Sequence, residues 1–202
     1  MAAMGTSSSA DGSAPSRSGR AQHAVLDATA SIMAEGGLAA TTIDAIRDRS
    51  GVSKTTIYKH WPNRLCVAID AFAERLATET SLPDTGTALG DFREQIRRVS
   101  AFYASPVGSV FAQLLANAIQ DPVAAGWLQT RFLDSRQRGT RELWDRAVAR
   151  GEVQKDIDPD LAMDLVFGPV MWRLVSGRRP LTEDDADAIA NSLLNGLRAT
   201  TT

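Results

Sequence analysis

Residues 41–61 read TTIDAIRDRSGVSKTTIYKHW, two short helical stretches hinged at Gly51, and no other segment constrains the chain as much. Arg49-Ser50-Gly51-Val52 supplies a sharp turn in which Gly51 is free to take a positive φ. In the first stretch Thr41 is the expected N-cap, with Asp44 completing a capping box and Ile43 and Ile46 pointing inward. In the second, Ser53 caps the helix, and Val52 and Ile57 form the two ends of a hydrophobic staple. Ile57 and Trp61, four residues apart, share one face, while Lys54, Thr55, Tyr58 and Lys59 fall on the other. A helix that buries one side and shows cations, hydroxyls and a phenol on the other suits a DNA groove, with the preceding helix braced on the backbone. Lysine and tyrosine suit phosphates, and lysine and threonine also reach base edges. The helix starts at Thr41/Thr42 and Asn63/Arg64 offer backbone N–H groups to flanking phosphates. The same spacing also fits an ordinary helical hairpin with a solvated cationic face.

The rest of the chain reads as helix, with no strand alternation and no internal repeat. Val25, Ala28 and Ile32 make an apolar face that stops at Gly36-Gly37. Asn63 opens a helix carrying Leu65, Ile69, Phe72 and Leu76, which fades into a loop over residues 81–87. Further helices are expected over 90–104, 107–119, 122–150, 159–177 and 183–199. Asp121-Pro122 and Asp158-Pro159 each place a capping carboxylate before a first-turn proline. Thr182 and Asp185 form another capping box, stapled by Leu181 and Ala186. The expected fold is all-α: a three-helix helix-turn-helix unit followed by a larger helical bundle.

Charge and composition narrow the function. Residues 1–65 hold seven Lys/Arg against five Asp/Glu, giving +2, and the remainder fifteen against nineteen, giving −4. A mildly basic unit ahead of an acidic one fits a chain with one DNA-facing part. Residues 1–19 are mostly Ser, Ala and Gly and are expected to be a disordered tail; Arg17 and Arg20 near its inner end suit either a minor-groove arm or solvent. Cys66 is the sole cysteine, so no internal disulfide forms. The absence of a signal-peptide core and of an apolar run of about 20 residues points to a cytoplasmic protein without a membrane partner. Catalysis finds little support: both histidines, His23 and His60, lie in the N-terminal unit, and no phosphate-loop, dinucleotide or zinc pattern occurs. No cofactor or metal is expected.

The stretch GGLAATTIDAIRDRSGVSKTTIYKHWPNRLCVAIDAF resembles the N-terminal DNA-binding domain of the TetR/AcrR family of transcriptional regulators, over residues 21–72. The resemblance implies a homodimeric regulator, in most members a repressor, with a helical C-terminal domain that binds a small molecule and dimerises. It implies DNA contacts by Thr42, Lys54, Thr55, Thr56, Tyr58, Lys59, His60 and Arg64. Arg64 stands where lysine is common, which preserves a phosphate contact. Thr55 stands where glycine or alanine is common, which alters the base-facing surface. The domains that follow are 20–66 for DNA, 67–86 as connecting helix and loop, and 87–202 for ligand and dimer.

In that larger unit Phe102, Phe111, Leu114, Trp127, Phe132, Met163, Phe167 and Met171 supply enough aromatic and methionine bulk to line an adaptable pocket, or simply to fill a core. Gln113, Asn117, Gln129 and Arg131 are the nearest polar groups to orient a ligand. Ile189, Leu193, Leu194 and Leu197 form a C-terminal apolar stripe that either pairs with a second copy or docks on 159–177. The expected partners are a palindromic double-stranded operator, a second copy and an unidentified small-molecule effector. The alternative is an all-helical small-molecule-binding or adaptor protein in which the helix-turn-helix is scaffold only.

Overall fold

The computed structural model describes residues 17–197, and among them there is no strand. In chain order the helices are α1 (Arg17–Ala40), α2 (Ile43–Ser50), α3 (Lys54–His60), α4 (Arg64–Glu79), α5 (Ala88–Ala104), α6 (Phe111–Ala118), α7 (Pro122–Trp127), α8 (Asp134–Ala149), α9 (Pro159–Val175) and α10 (Glu183–Leu197). A 3₁₀ turn at Gly108–Val110 leads into α6, and a π-helical segment, Leu128–Leu133, joins α7 to α8. The helix expected over 122–150 is thus one continuous rod with a wide turn in its middle. Helix α1 begins at Arg17, so residues 17–19 are helical rather than tail, and Arg17 and Arg20 sit on its first turn; the remainder of the expected tail lies outside the described residues.

The first helix breaks where glycine permits it. Gly37 takes φ 68° and ψ −169°, a backbone state that a side chain would strain. The break frees the Gly37 carbonyl, and buried Thr41 turns inward to donate its hydroxyl to it at 3.0 Å. Thr41 is therefore unavailable as a cap. Thr42 accepts the Ala45 N–H instead, at 3.1 Å, and Asp44 bonds Arg47 and Lys54 rather than closing a capping box. The other expected caps hold: Ser53 accepts from the Thr56 N–H, Asn63 from Cys66, and Asp121 and Asp158 stand ahead of their prolines. Thr182 and Asp185 exchange both capping-box bonds.

Two cores share α1 and α4, with Met33 and Leu38 of α1 turned into the larger one. The small core gathers Val25, Ile32, Ile46, Ile57, Trp61, Cys66 and Val67 from α1, α2, α3 and the first turn of α4. The remaining turns of α4 carry Ile69, Phe72 and Leu76 into the large core. There Phe72 stacks on Phe111 at 4.9 Å between centroids and meets Phe102 edge-on at 5.3 Å. The α4–α5 loop is tied down from below by Asp91, to which the Thr85 N–H and Arg150 both donate.

The C-terminal stripe is largely consumed within the chain. Helix α10 packs chiefly on α5, where Ala186, Ala190 and Leu194 are buried and Arg97 donates through Nε and Nη2 to the two Asp187 oxygens. Ile189 and Leu193 are half-buried against the same core, and the Leu197 side chain lies outside the described residues. Besides Tyr58, Ile119, Val123 and Leu133, which are scattered along the chain, the exposed large apolar side chains among the described residues gather on α9: Leu161, Leu165, Trp172 and Val175. These four repeat at helical spacing along one face.

Candidate functional site

The turn between α2 and α3 is built from three local bonds. Gly51, at φ 69°, donates its N–H to the Arg47 carbonyl at 2.9 Å. The Val52 N–H reaches the Ser50 hydroxyl at 3.2 Å, and Ser53 caps α3. Ile57 is fully buried and Trp61 nearly so, which fixes the roll of α3 about its own axis. The opposite face is then forced outward. Tyr58 is 54% exposed, Thr55 and Lys59 are exposed, and half-buried Lys54 reaches Asp44 at 2.7 Å. The Lys54 ammonium holds the Asp44 carboxyl below its ordinary range, chiefly through that hydrogen bond.

The other expected residues have side-chain partners within the chain, although Thr42 stays exposed. The Thr56 hydroxyl lies 3.0 Å from that of Ser53, and Thr42 spends its oxygen on the α2 cap. Gln22 Nε2 donates to His60 Nδ1 at 2.8 Å, which makes Nδ1 the acceptor nitrogen of that ring. Arg64 donates Nη1 to the Leu38 carbonyl at 3.1 Å, so its guanidinium bridges the end of α1 and the start of α4. The chain therefore brings Lys54, Thr55, Tyr58 and Lys59 together on one face, with Thr42, Thr56, His60 and Arg64 engaged around its rim.

A carboxylate beneath this face joins it to the larger unit. Asp70 on α4 accepts the Trp61 indole N–H at 2.8 Å on one oxygen and the Trp127 indole N–H at 2.8 Å on the other. Asn63, the α4 cap, donates to Asp121, the α7 cap, at 2.9 Å. The end of α3 is thus fastened to α7 through two side-chain bridges. Neither was legible in the sequence, because indole N–H groups announce no partner.

Between α5, the π segment, α8 and α9 lies a cavity of about 350 Å³. Four of the expected pocket residues, Phe132, Met163, Phe167 and Met171, line it. Phe102, Phe111 and Leu114 instead fill the solid core with Phe72, and Trp127 is spent on Asp70. Gln113 and Asn117 lie exposed on α6, Gln129 bonds Asp134, and Arg131 lies over the Trp127 ring at 5.1 Å; none borders the cavity. Its polar wall comes from Tyr103, Arg136, Gln137 and Thr140, together with the exposed carboxylates Asp160 and Asp164. The signal for Arg136 was available: Phe132, Arg136 and Thr140 succeed one another at one-turn spacing.

The two units match two family models in chain order. Residues 25–65 match the bacterial regulatory proteins of the tetR family, and residues 82–193 the tetracyclin repressor-like C-terminal domain. The uncharacterized HTH-type transcriptional regulator YdeS of Bacillus subtilis (strain 168) is 29% identical over 177 residues, covering 88% of this chain and 89% of its own. The uncharacterized HTH-type regulator Rv1556 of Mycobacterium tuberculosis is 27% identical over 173 residues, 84% of each. Among solved structures, the TetR family transcription regulator SCO0332 superposes with a TM-score of 0.80 at 26% identity, spanning 89% of this chain and all of that one. With the helix-turn-helix face, the helical C-terminal unit and both family matches in agreement, the chain belongs to the TetR family of DNA-binding transcriptional regulators.

Proposed function

We propose that the chain is a cytoplasmic, non-enzymatic repressor that binds a palindromic operator as a homodimer and releases it when a small molecule enters the C-terminal unit. Residues 20–66 read DNA and residues 87–202 hold the effector and the partner copy. The observation that carries this reading is the single outward face of Lys54, Thr55, Tyr58 and Lys59 over buried Ile57 and Trp61. One α3 reads too few base pairs alone, so two copies address half-sites about one helical turn apart. The exposed α9 stripe of Leu161, Leu165, Trp172 and Val175 is the surface best suited to pair them. The cavity supports the effector half of the reading. So does a solved relative titled Flavonoid-responsive Regulator FrrA, 26% identical with a TM-score of 0.61.

Selection of bound fragments from the host genome, followed by mobility-shift titration, tests the assignment. Tyr58→Ala and Lys59→Ala are expected to weaken operator binding, and loss of the Lys59 charge lowers the salt slope by about one per protomer. A chain with scaffold helices only would retain no fragment in a salt-dependent way. Trp172→Asp puts a charge at the centre of the apolar α9 stripe, where the side chain is 61% exposed in the single copy. Sedimentation is expected to find it monomeric, and its operator affinity to fall with the dimer. A dimer that survives this change would place the interface elsewhere.

A further inference from the structure

The cavity described above contains a cation, Arg136, that forms no ion pair among the described residues. Arg136 projects from α8 into its wall, and the single bond its guanidinium makes among the described residues is a long one, 3.3 Å from Nη1 to the Thr80 hydroxyl. The half-buried arginines Arg97, Arg98 and Arg150 of the same unit are paired: Arg97 with Asp187, Arg98 with Glu94, Arg150 with Asp84 and Asp91. Burial pushes the Arg136 pKa below the ordinary arginine value, with the nearby Tyr103 acting in the opposite sense. The Tyr103 phenol is itself pushed above its usual range by burial. Arg136 is half-buried and its unpaired nitrogens are not sealed from solvent, so the open fork is free to take a planar anion.

The rest of the wall describes the remainder of the ligand. Phe132, Phe167, Met163 and Met171 are apolar, and the two thioethers adapt to irregular shapes. A space of 350 Å³ accommodates about a dozen water-sized groups. At the mouth stand exposed Asp160 and Asp164, which repel a multiply charged head more strongly than a singly charged one. Resting on the reading of this cavity as the effector site, we infer that it takes an organic monocarboxylate with an apolar body of about a dozen non-hydrogen atoms, its carboxylate anchored by Arg136 and its body among Phe132, Met163, Phe167 and Met171.

Calorimetric titration of the full chain with decanoate, 4-phenylbutanoate, decan-1-ol and decyl phosphate tests this. At least one carboxylate is expected to bind, and decanol, which keeps the body and loses the charge, to bind about ten- to a hundredfold more weakly than decanoate. Decyl phosphate should fall below decanoate because of the acidic mouth. Arg136→Gln is expected to erase the preference for acid over alcohol, and Arg136→Lys to restore part of it. Arg136→Met removes the uncompensated charge, so its ligand-free melting temperature should equal or exceed that of the unsubstituted protein even as acid binding disappears. Equal binding of decanol and decanoate, unchanged decanoate binding in Arg136→Gln, tighter binding of the phosphate, or no binding of either carboxylate up to about 1 mM overturns the assignment. Operator retention by the same samples separates the two readings. An acid that binds without changing retention leaves the anion site standing and defeats the effector role, whereas intact retention with no acid binding does the reverse.

Discussion

Asp91→Ala is expected to lower the unfolding free energy by about 3–5 kcal/mol, the range found when one partner of a buried ion pair is removed. The Asp91 side chain is 1% exposed and accepts the Thr85 N–H at 2.6 Å, the Thr85 hydroxyl at 2.8 Å and Arg150 Nη1 at 2.9 Å. Truncation removes the acceptor of the part-buried Thr85 N–H and hydroxyl and releases Arg150 from one of its two carboxylates. Because Arg150 and Arg146 retain some access to water, the lower end of the range is the expected value. The effect depends on pH with a defined sign. Burial alone would raise the Asp91 pKa, but the Thr85 and Arg150 hydrogen bonds outweigh it and hold the carboxyl below its ordinary value. A depressed carboxylate pKa contributes stability that is present above the unfolded value of about 3.9 and is lost as pH falls through the folded one. Urea unfolding followed by circular dichroism should therefore find a steep loss below about pH 4 in the unsubstituted protein and a shallower one in Asp91→Ala. Equal stability of the two proteins near neutral pH would show that the α4–α5 loop is held by its other bonds.

What the sequence made legible was local. Ser53, Asn63, Asp121, Asp158 and Thr182 cap helices because a short acceptor ahead of an apolar run has one nearby use. The pair Thr41-Thr42 offered two equal acceptors, and a non-local fact, the carbonyl freed at Gly37, decided between them. The outward face of α3 was readable because Ile57 and Trp61 define its buried side by spacing alone. Tertiary partners were not. The apolar stripe of α10 is the same sequence whether it meets α5 or another copy, while α9, apolar around most of its circumference, gave no hint that Trp172 stays outside. Arg136 shares a helix face with Phe132 and Thr140 by spacing, but only its neighbours on α5 and α9 show that this face borders a cavity.

Trp61→Ala is expected to cost about 3–5 kcal/mol, the range for truncating a buried tryptophan. The loss falls on a core of few large side chains, where Trp61 packs with Ile46, Ile57 and Val67. The reading unit should melt separately from, and below, the larger core, and operator binding should vanish. Trp61→Phe separates packing from linkage. It keeps most of the ring but removes the indole donor to Asp70, while the Trp127 bond to the other Asp70 oxygen remains. A hydrogen bond to a charged group is worth about 1.5–3 kcal/mol, so Trp61→Phe should be the milder change and should still bind DNA. Its larger effect is expected on communication. Trp127 leads into the π segment whose Phe132 borders the cavity, so Phe132, Trp127, Asp70 and Trp61 form a contiguous route by which an effector bound there would reach the reading helix. Coupling of about 1–3 kcal/mol between two such sites changes operator affinity by several-fold to a hundredfold. In Trp61→Phe and in Trp127→Phe an effector should bind yet shift operator affinity less, and the double variant should lose no more than either single one. Full coupling in both single variants would mean that the Asn63–Asp121 bridge and the α4 axis carry the signal, and that the twin indole bonds serve stability alone.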